Sequence, residues 1–256
     1  MIWILKFLHV LASLILWRGR REKMLGVPER GFAQRLMGLP LAPWDAVICV
    51  NGIFGSSPGW ETEVAQWFTN NTQIVGSYFY YWCGLFKWGQ AAHAAALAQM
   101  IDDLRAKGAR KVHVIAHSNG CQLIRMALQI SGTAAVDVCV LVAAADKEDC
   151  GPAGNGWNAL LSALPAAVQR LIITQSSGDT VLAWNWLTPS FWGCQLGLNG
   201  PKNAAPLPLV CAFAALPTQP AELYTVGFDN SQDHLDWLGK NQAATVATLA
   251  AVLEAL

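Results

Sequence analysis

Charge is scarce in this sequence. Lys, Arg, Asp and Glu make up 13% of 256 residues, and 17 basic side chains balance 17 acidic ones. No basic field exists to hold a polyanion, so nucleic-acid binding is excluded as a general function. There is no Cys-x-x-Cys pair and no Cys/His cluster at zinc-ligand spacing, so no metal site is expected. Cysteines occur at 49, 83, 121, 139, 150, 194 and 211, an odd number. Cys49, Cys121 and Cys139 lie in or beside apolar runs and read as buried thiols. A reducing compartment, hence the cytoplasm, is the simplest setting. Disulfides among Cys150, Cys194 and Cys211 are the alternative for an exported chain. No internal repeat is visible.

Apolar residues are abundant at 54%, enough for one large core. The twelve tryptophans include a group at 82, 88, 184, 186 and 192, suited either to a core or to the wall of a cleft. Residues 1–17 are apolar except Lys6, His9 and Ser13, and Arg18, Arg20, Arg21 and Lys23 follow. Positive charge after the apolar stretch, with no small-residue cleavage site between, is a poor fit to a secretory signal. As a helix, seventeen residues reach about 25 Å, slightly short of a bilayer core. Lys6, His9 and Ser13 share one helical face, which favours an amphipathic helix over residues 1–23. It would lie on a membrane surface or dock on the domain; as a true span it would leave the domain in the cytoplasm. Residues 24–43, rich in Gly and Pro, read as a linker with one short helix at Phe32–Met37.

From residue 44 to 256 strands and helices alternate. Apolar or β-rich runs at 46–50, 73–81, 112–116, 136–143, 170–174 and 222–228 read as strands. Helical patterns cover 59–69, 89–107 (ending at Gly108), 121–130, 158–169 and 239–255. The order predicts an open α/β sheet of about six strands, mainly parallel, with helices on both faces. In such sheets ligands bind beyond the C-terminal strand ends. The connection 183–221 carries Trp184, Trp186, Phe191 and Trp192 and reads as a lid-like wall or as simple packing over the sheet edge.

One strand ends in Ala116-His117-Ser118-Asn119-Gly120 and runs straight into a helix. This strand–turn–helix with a serine at its apex resembles the nucleophile elbow of the serine α/β-hydrolases, with Ala116 in the first glycine position. An ordinary turn with a capping serine is the bland reading of the same residues. The resemblance extends over about residues 44–256 and is closest to small lipase- or esterase-like members. It implies a reduced α/β-hydrolase fold. Asp179 follows the fifth strand and His234 the sixth, and Ser118, Asp179, His234 stand in the chain order this family uses. The Asn51-Gly52-Ile53-Phe54-Gly55 turn resembles the family's His-Gly-x-x-Gly turn, with Asn51 in place of histidine. By that resemblance the backbone N–H groups of Ile53 and Asn119 would form the oxyanion hole.

The chemistry explains why these residue types are wanted. A serine hydroxyl is a weak nucleophile until an imidazole takes its proton, and a carboxylate on the far ring nitrogen orients that imidazole. No cofactor is required. The resemblance therefore implies hydrolysis of a small-molecule or lipid ester, with Phe54, Trp184 and Trp186 near an apolar acyl group. A thioesterase or acyltransferase would use the same residues. Asp146, after the fourth strand, is the alternative acid. His93, His113 and His117 read as structural, although His117 could help shape the pocket. A non-catalytic module of the same fold, binding a lipid or a partner, is the rival from another class.

Overall fold

The computed structural model describes residues 32–36, 43–52, 59–81, 90–131, 135–146, 156–164, 166–174, 176, 178–184, 196–199, 210–213 and 235–255. Among the described residues seven strands form one sheet: β1 (Phe32–Leu36), β2 (Trp44–Val50), β3 (Ile74–Tyr81), β4 (Ala109–His117), β5 (Val136–Val142), β6 (Val168–Thr174) and β7 (Val210–Phe213). Their spatial order is β1-β3-β2-β4-β5-β6-β7. β1 pairs antiparallel with β3, and every other pairing is parallel. The helices are α1 (Trp60–Asn71), α2 (Gln90–Ala106), α3 (Gly120–Ser131), α4 (Trp157–Ala163), α5 (Thr180–Trp184), α6 (Leu196–Asn199) and α7 (Gln242–Ala255).

Alternation along the strands splits the core into two layers. Ala46, Ile48 and Val50 of β2, with Val112, Val114 and Ala116 of β4, face α2, α3 and α4. Val47, Cys49, Ile115 and Val140 face α1 and α7. Strands buried on both faces are continuously apolar, which is why these runs were legible as parallel strands. Contact between β3 and α1 is close enough to require glycine: a Cβ on Gly76 would lie 1.7 Å from the Ala65 carbonyl oxygen. Gly108, at φ 97°, ends the turn after α2.

Three expectations need correction. Phe32–Met37 reads as a short helix within a linker, but Phe32–Leu36 is an edge strand paired with Ser77–Tyr81. A helix this short is not stable on its own, whereas the free edge of β3 satisfies its backbone groups. The helix expected over 158–169 stops at Ala163, because Val168 already pairs with Val136 in the sheet. The connection 183–221 contains α6 and β7, so part of it belongs to the sheet. The strand expected at 222–228 lies outside the described residues, as do residues 1–23. Among the described residues no helix is long and apolar enough to cross a membrane.

Candidate active site

β4 delivers Ser118 to the C-terminal edge of the sheet, and α3 starts two residues later. Ser118 adopts φ 54°, a left-handed conformation that costs a non-glycine residue about 1–2 kcal/mol. The turn is held on both sides. The Ser118 N–H donates to the Val142 carbonyl at 2.9 Å, and the Ser118 carbonyl accepts from Cys121 at 3.1 Å and from Ala145 at 3.2 Å. Two glycines let neighbouring backbone close in. A Cβ on Gly120 would lie 2.5 Å from the Asn51 oxygen, and one on Gly52 would lie 2.9 Å from the Ser118 Cβ. The chain leaving β2 therefore passes directly over the serine.

Asn51 fixes that passage. Its side chain donates to the Tyr81 carbonyl at 3.0 Å and accepts the Tyr81 N–H at 3.1 Å, pairing with the end of β3 like one more ladder residue. It also donates to the Gly52 carbonyl at 3.1 Å. Asn119 is fully buried, and its amide donates to the Tyr81 hydroxyl at 3.0 Å. Its backbone N–H opens α3 and donates to nothing among the described residues.

The two candidate acids sit in different company. Asp146 follows β5 and is buried, with both oxygens engaged by Arg125 of α3: Nε at 2.8 Å and a terminal nitrogen at 3.1 Å. Asp179 follows β6, also buried, and its Oδ1 caps α5 by accepting the Leu182 N–H at 2.8 Å. The Asp179 loop is tied to the loop after β5 through α6. Ser176 N–H donates to the Gly197 carbonyl at 2.9 Å, and Gly197 N–H to Ala144 at 3.1 Å.

The described histidines fill other places. His93 of α2 lies against the Tyr81 ring, centroids 5.5 Å apart. The His117 ring stands edge-on to Trp60 at 6.0 Å and borders Gly52. His113 is wholly buried in β4, and neither ring nitrogen has a partner among the described residues. Burial pulls its pKa down to about 4. His234, Ile53, Phe54 and Trp186 lie outside the described residues, as does the Trp184 side chain. Among the described residues, no group of three or more His, Cys, Asp or Glu could hold a metal ion.

Sequence reasoning passed over Thr174, Arg125 and the role of Asn51. Arg125 had a weak signal, as a lone cation on the apolar face of a helix. Thr174 had none beyond its place at the end of a strand.

A mainly parallel sheet with one antiparallel edge, helices on both faces and a left-handed serine between β4 and α3 defines an α/β-hydrolase fold. The sequence model of the family described as "Serine hydrolase" matches residues 47–184, more than half of the chain; the protein belongs to this family. No curated protein matches the sequence significantly. Similar solved structures include the Francisella virulence factor BioJ, at 11% identity and TM-score 0.48, covering 96% of this chain and 91% of that one. An esterase from Pyrobaculum calidifontis shows 13% identity and TM-score 0.48, with 100% and 93% covered. Mouse alpha/beta hydrolase domain-containing protein 10 shows 11% identity and TM-score 0.47, with 87% and 92% covered.

Proposed function

We propose that this serine hydrolase cleaves carboxylic esters of apolar acyl groups through an acyl-enzyme. The observation that carries the reading is Ser118 held at φ 54° beneath Gly52. A hydroxyl displayed on a strained turn at a helix N-terminus is costly as mere structure and is what a nucleophile needs. Ser118 attacks the ester carbonyl. His234 takes the hydroxyl proton, returns it to the leaving alkoxide, and then activates water to release the acid. Asp179 orients the imidazole and stabilises its charged form. That role falls to Asp179 rather than Asp146, because Arg125 already occupies both Asp146 oxygens. The Asn119 N–H, which donates to nothing among the described residues, and that of Ile53 receive the oxyanion, each such donor being worth about 3–4 kcal/mol. Phe54, Trp184 and Trp186 supply the apolar wall for the acyl chain. Residues 1–23 bring the domain to a membrane surface, where such esters are found.

The test is fluorophosphonate labelling together with turnover of p-nitrophenyl esters from acetate to palmitate. The wild type labels and turns over. Ser118→Ala loses both while keeping its circular dichroism and melting temperature. Labelling of Ser118→Ala at the wild-type rate would overturn the assignment.

A further inference from the structure

Two non-glycine residues among those described have left-handed backbones, Ser118 at φ 54° and Ala143 at φ 46°. They lie on adjacent loops at the C-terminal ends of β4 and β5 and are joined by one peptide plane. The Val142–Ala143 peptide uses its carbonyl to accept the Ser118 N–H at 2.9 Å. Its N–H donates to the Thr174 hydroxyl at 3.0 Å. Thr174 in turn donates that hydroxyl to the Leu141 carbonyl at 3.3 Å. Thr174 is buried and is the last residue of β6.

The physical logic runs outward from Ala143. Once its φ turns positive, β5 leaves the ladder, and the Ala143 N–H loses the strand partner it would otherwise have. A buried N–H without a partner is costly, and the chain would relax toward negative φ to escape both penalties. The Thr174 hydroxyl removes the first penalty and so holds the second in place. Relaxation at Ala143 would rotate the Val142 carbonyl away from Ser118.

We propose that Thr174 is a positioning residue, whose hydroxyl fixes the Val142–Ala143 peptide that in turn fixes the Ser118 backbone. It thereby locks the nucleophile turn to the strand that carries Asp179. The inference rests on the esterase reading above and adds to it a residue with no contact to substrate.

The experiment compares wild type, T174V, T174S and T174V/A143G, with T174A alongside in case T174V does not fold. Melting temperature, kcat, KM and fluorophosphonate labelling rate are read for each. T174V, or T174A, lowers kcat and labelling about tenfold or more, with KM within about twofold, since one hydrogen bond that positions the nucleophile is lost. T174S keeps the hydroxyl and stays near wild type. A143G restores much of the activity of T174V, because glycine holds positive φ without support. Wild-type kcat in folded T174V or T174A would overturn the proposal. So would a loss in T174S equal to that in T174V, which would assign the role to side-chain shape. An inert, unlabelled wild type would instead sink the esterase reading on which the proposal stands.

Discussion

Replacing His113 by leucine should remove an acid-sensitive part of the protein's stability. The imidazole is fully buried in β4, between Val47 of β2 and Val138 of β5, with both nitrogens unpartnered among the described residues. Desolvation is the main reason its pKa falls to about 4; nearby Asp137 and Asp45 oppose the shift, and Lys111 and Arg105 add to it. In the unfolded chain a histidine titrates near 6.5. Between these values the unfolded chain binds a proton that the folded chain refuses. Stability from this residue is therefore complete above about pH 6.5 and is lost as pH falls toward 4. At 1.36 kcal/mol per pH unit, the loss approaches about 3 kcal/mol, a large part of a typical domain's margin. Burial raises the Glu61 carboxyl, which contributes with the opposite sign in the same acidic range. The informative quantity is thus the difference between wild type and His113→Leu. Urea unfolding at pH 7.0, 6.0, 5.0 and 4.5 measures it. The variant should be at least as stable as wild type at pH 7, since two unsatisfied nitrogens are removed, and its advantage should grow by about 2–3 kcal/mol by pH 4.5. A difference that stays flat across this range would refute the reasoning.

Three further substitutions probe the site. Gly52→Ala places a methyl 2.9 Å from the Ser118 Cβ and 3.2 Å from the His117 Nδ1. It should lower kcat/KM for esters by about tenfold or more, with a smaller effect on melting temperature. Asp146→Ala strands the buried Arg125 guanidinium and should cost about 3–5 kcal/mol of stability in denaturant titration. Asp179→Asn keeps a side-chain oxygen to cap α5 but loses the carboxylate, so it should fold normally and lose about 10³–10⁴ in kcat. The reverse pattern would make Asp146 the acid.

What was legible in the chain was what short-range pattern controls. The run from Val112 through Ser118 into α3 needs only local polarity and the turn to be read, and strand and helix fall within three residues of expectation. The edge strand Phe32–Leu36 was not legible, because its partner lies more than forty residues away and its own pattern is too short to favour either state. β7 was lost for a different reason: around Val210–Phe213 the connection is apolar throughout, so no contrast marks the strand. The Ser-Gly-Asp turn after the fifth expected strand favours Asp179 over Asp146; what no sequence feature near either aspartate announces is that Arg125, 21 residues from Asp146, pairs with the Asp146 carboxylate. Likewise no sequence feature reveals that the Thr174 hydroxyl catches an N–H 31 residues away.

The buried thiols have a consequence for how this chain meets its surroundings. Cys121 and Cys139 lie in the layer beneath α2, α3 and α4, and Cys49 in the layer under α1 and α7; all three are free, and burial raises their pKa values. Such groups are inert to oxidants and alkylating agents while the layers stay shut. They become reactive only during an opening excursion. Slow thiol modification is therefore a clock for each layer separately: Cys49 records how often the α1/α7 side lifts, and Cys121 and Cys139 how often the opposite side does. In an oxidising environment the same excursions would set the protein's lifetime, so durability there would follow breathing rate rather than depth of stability.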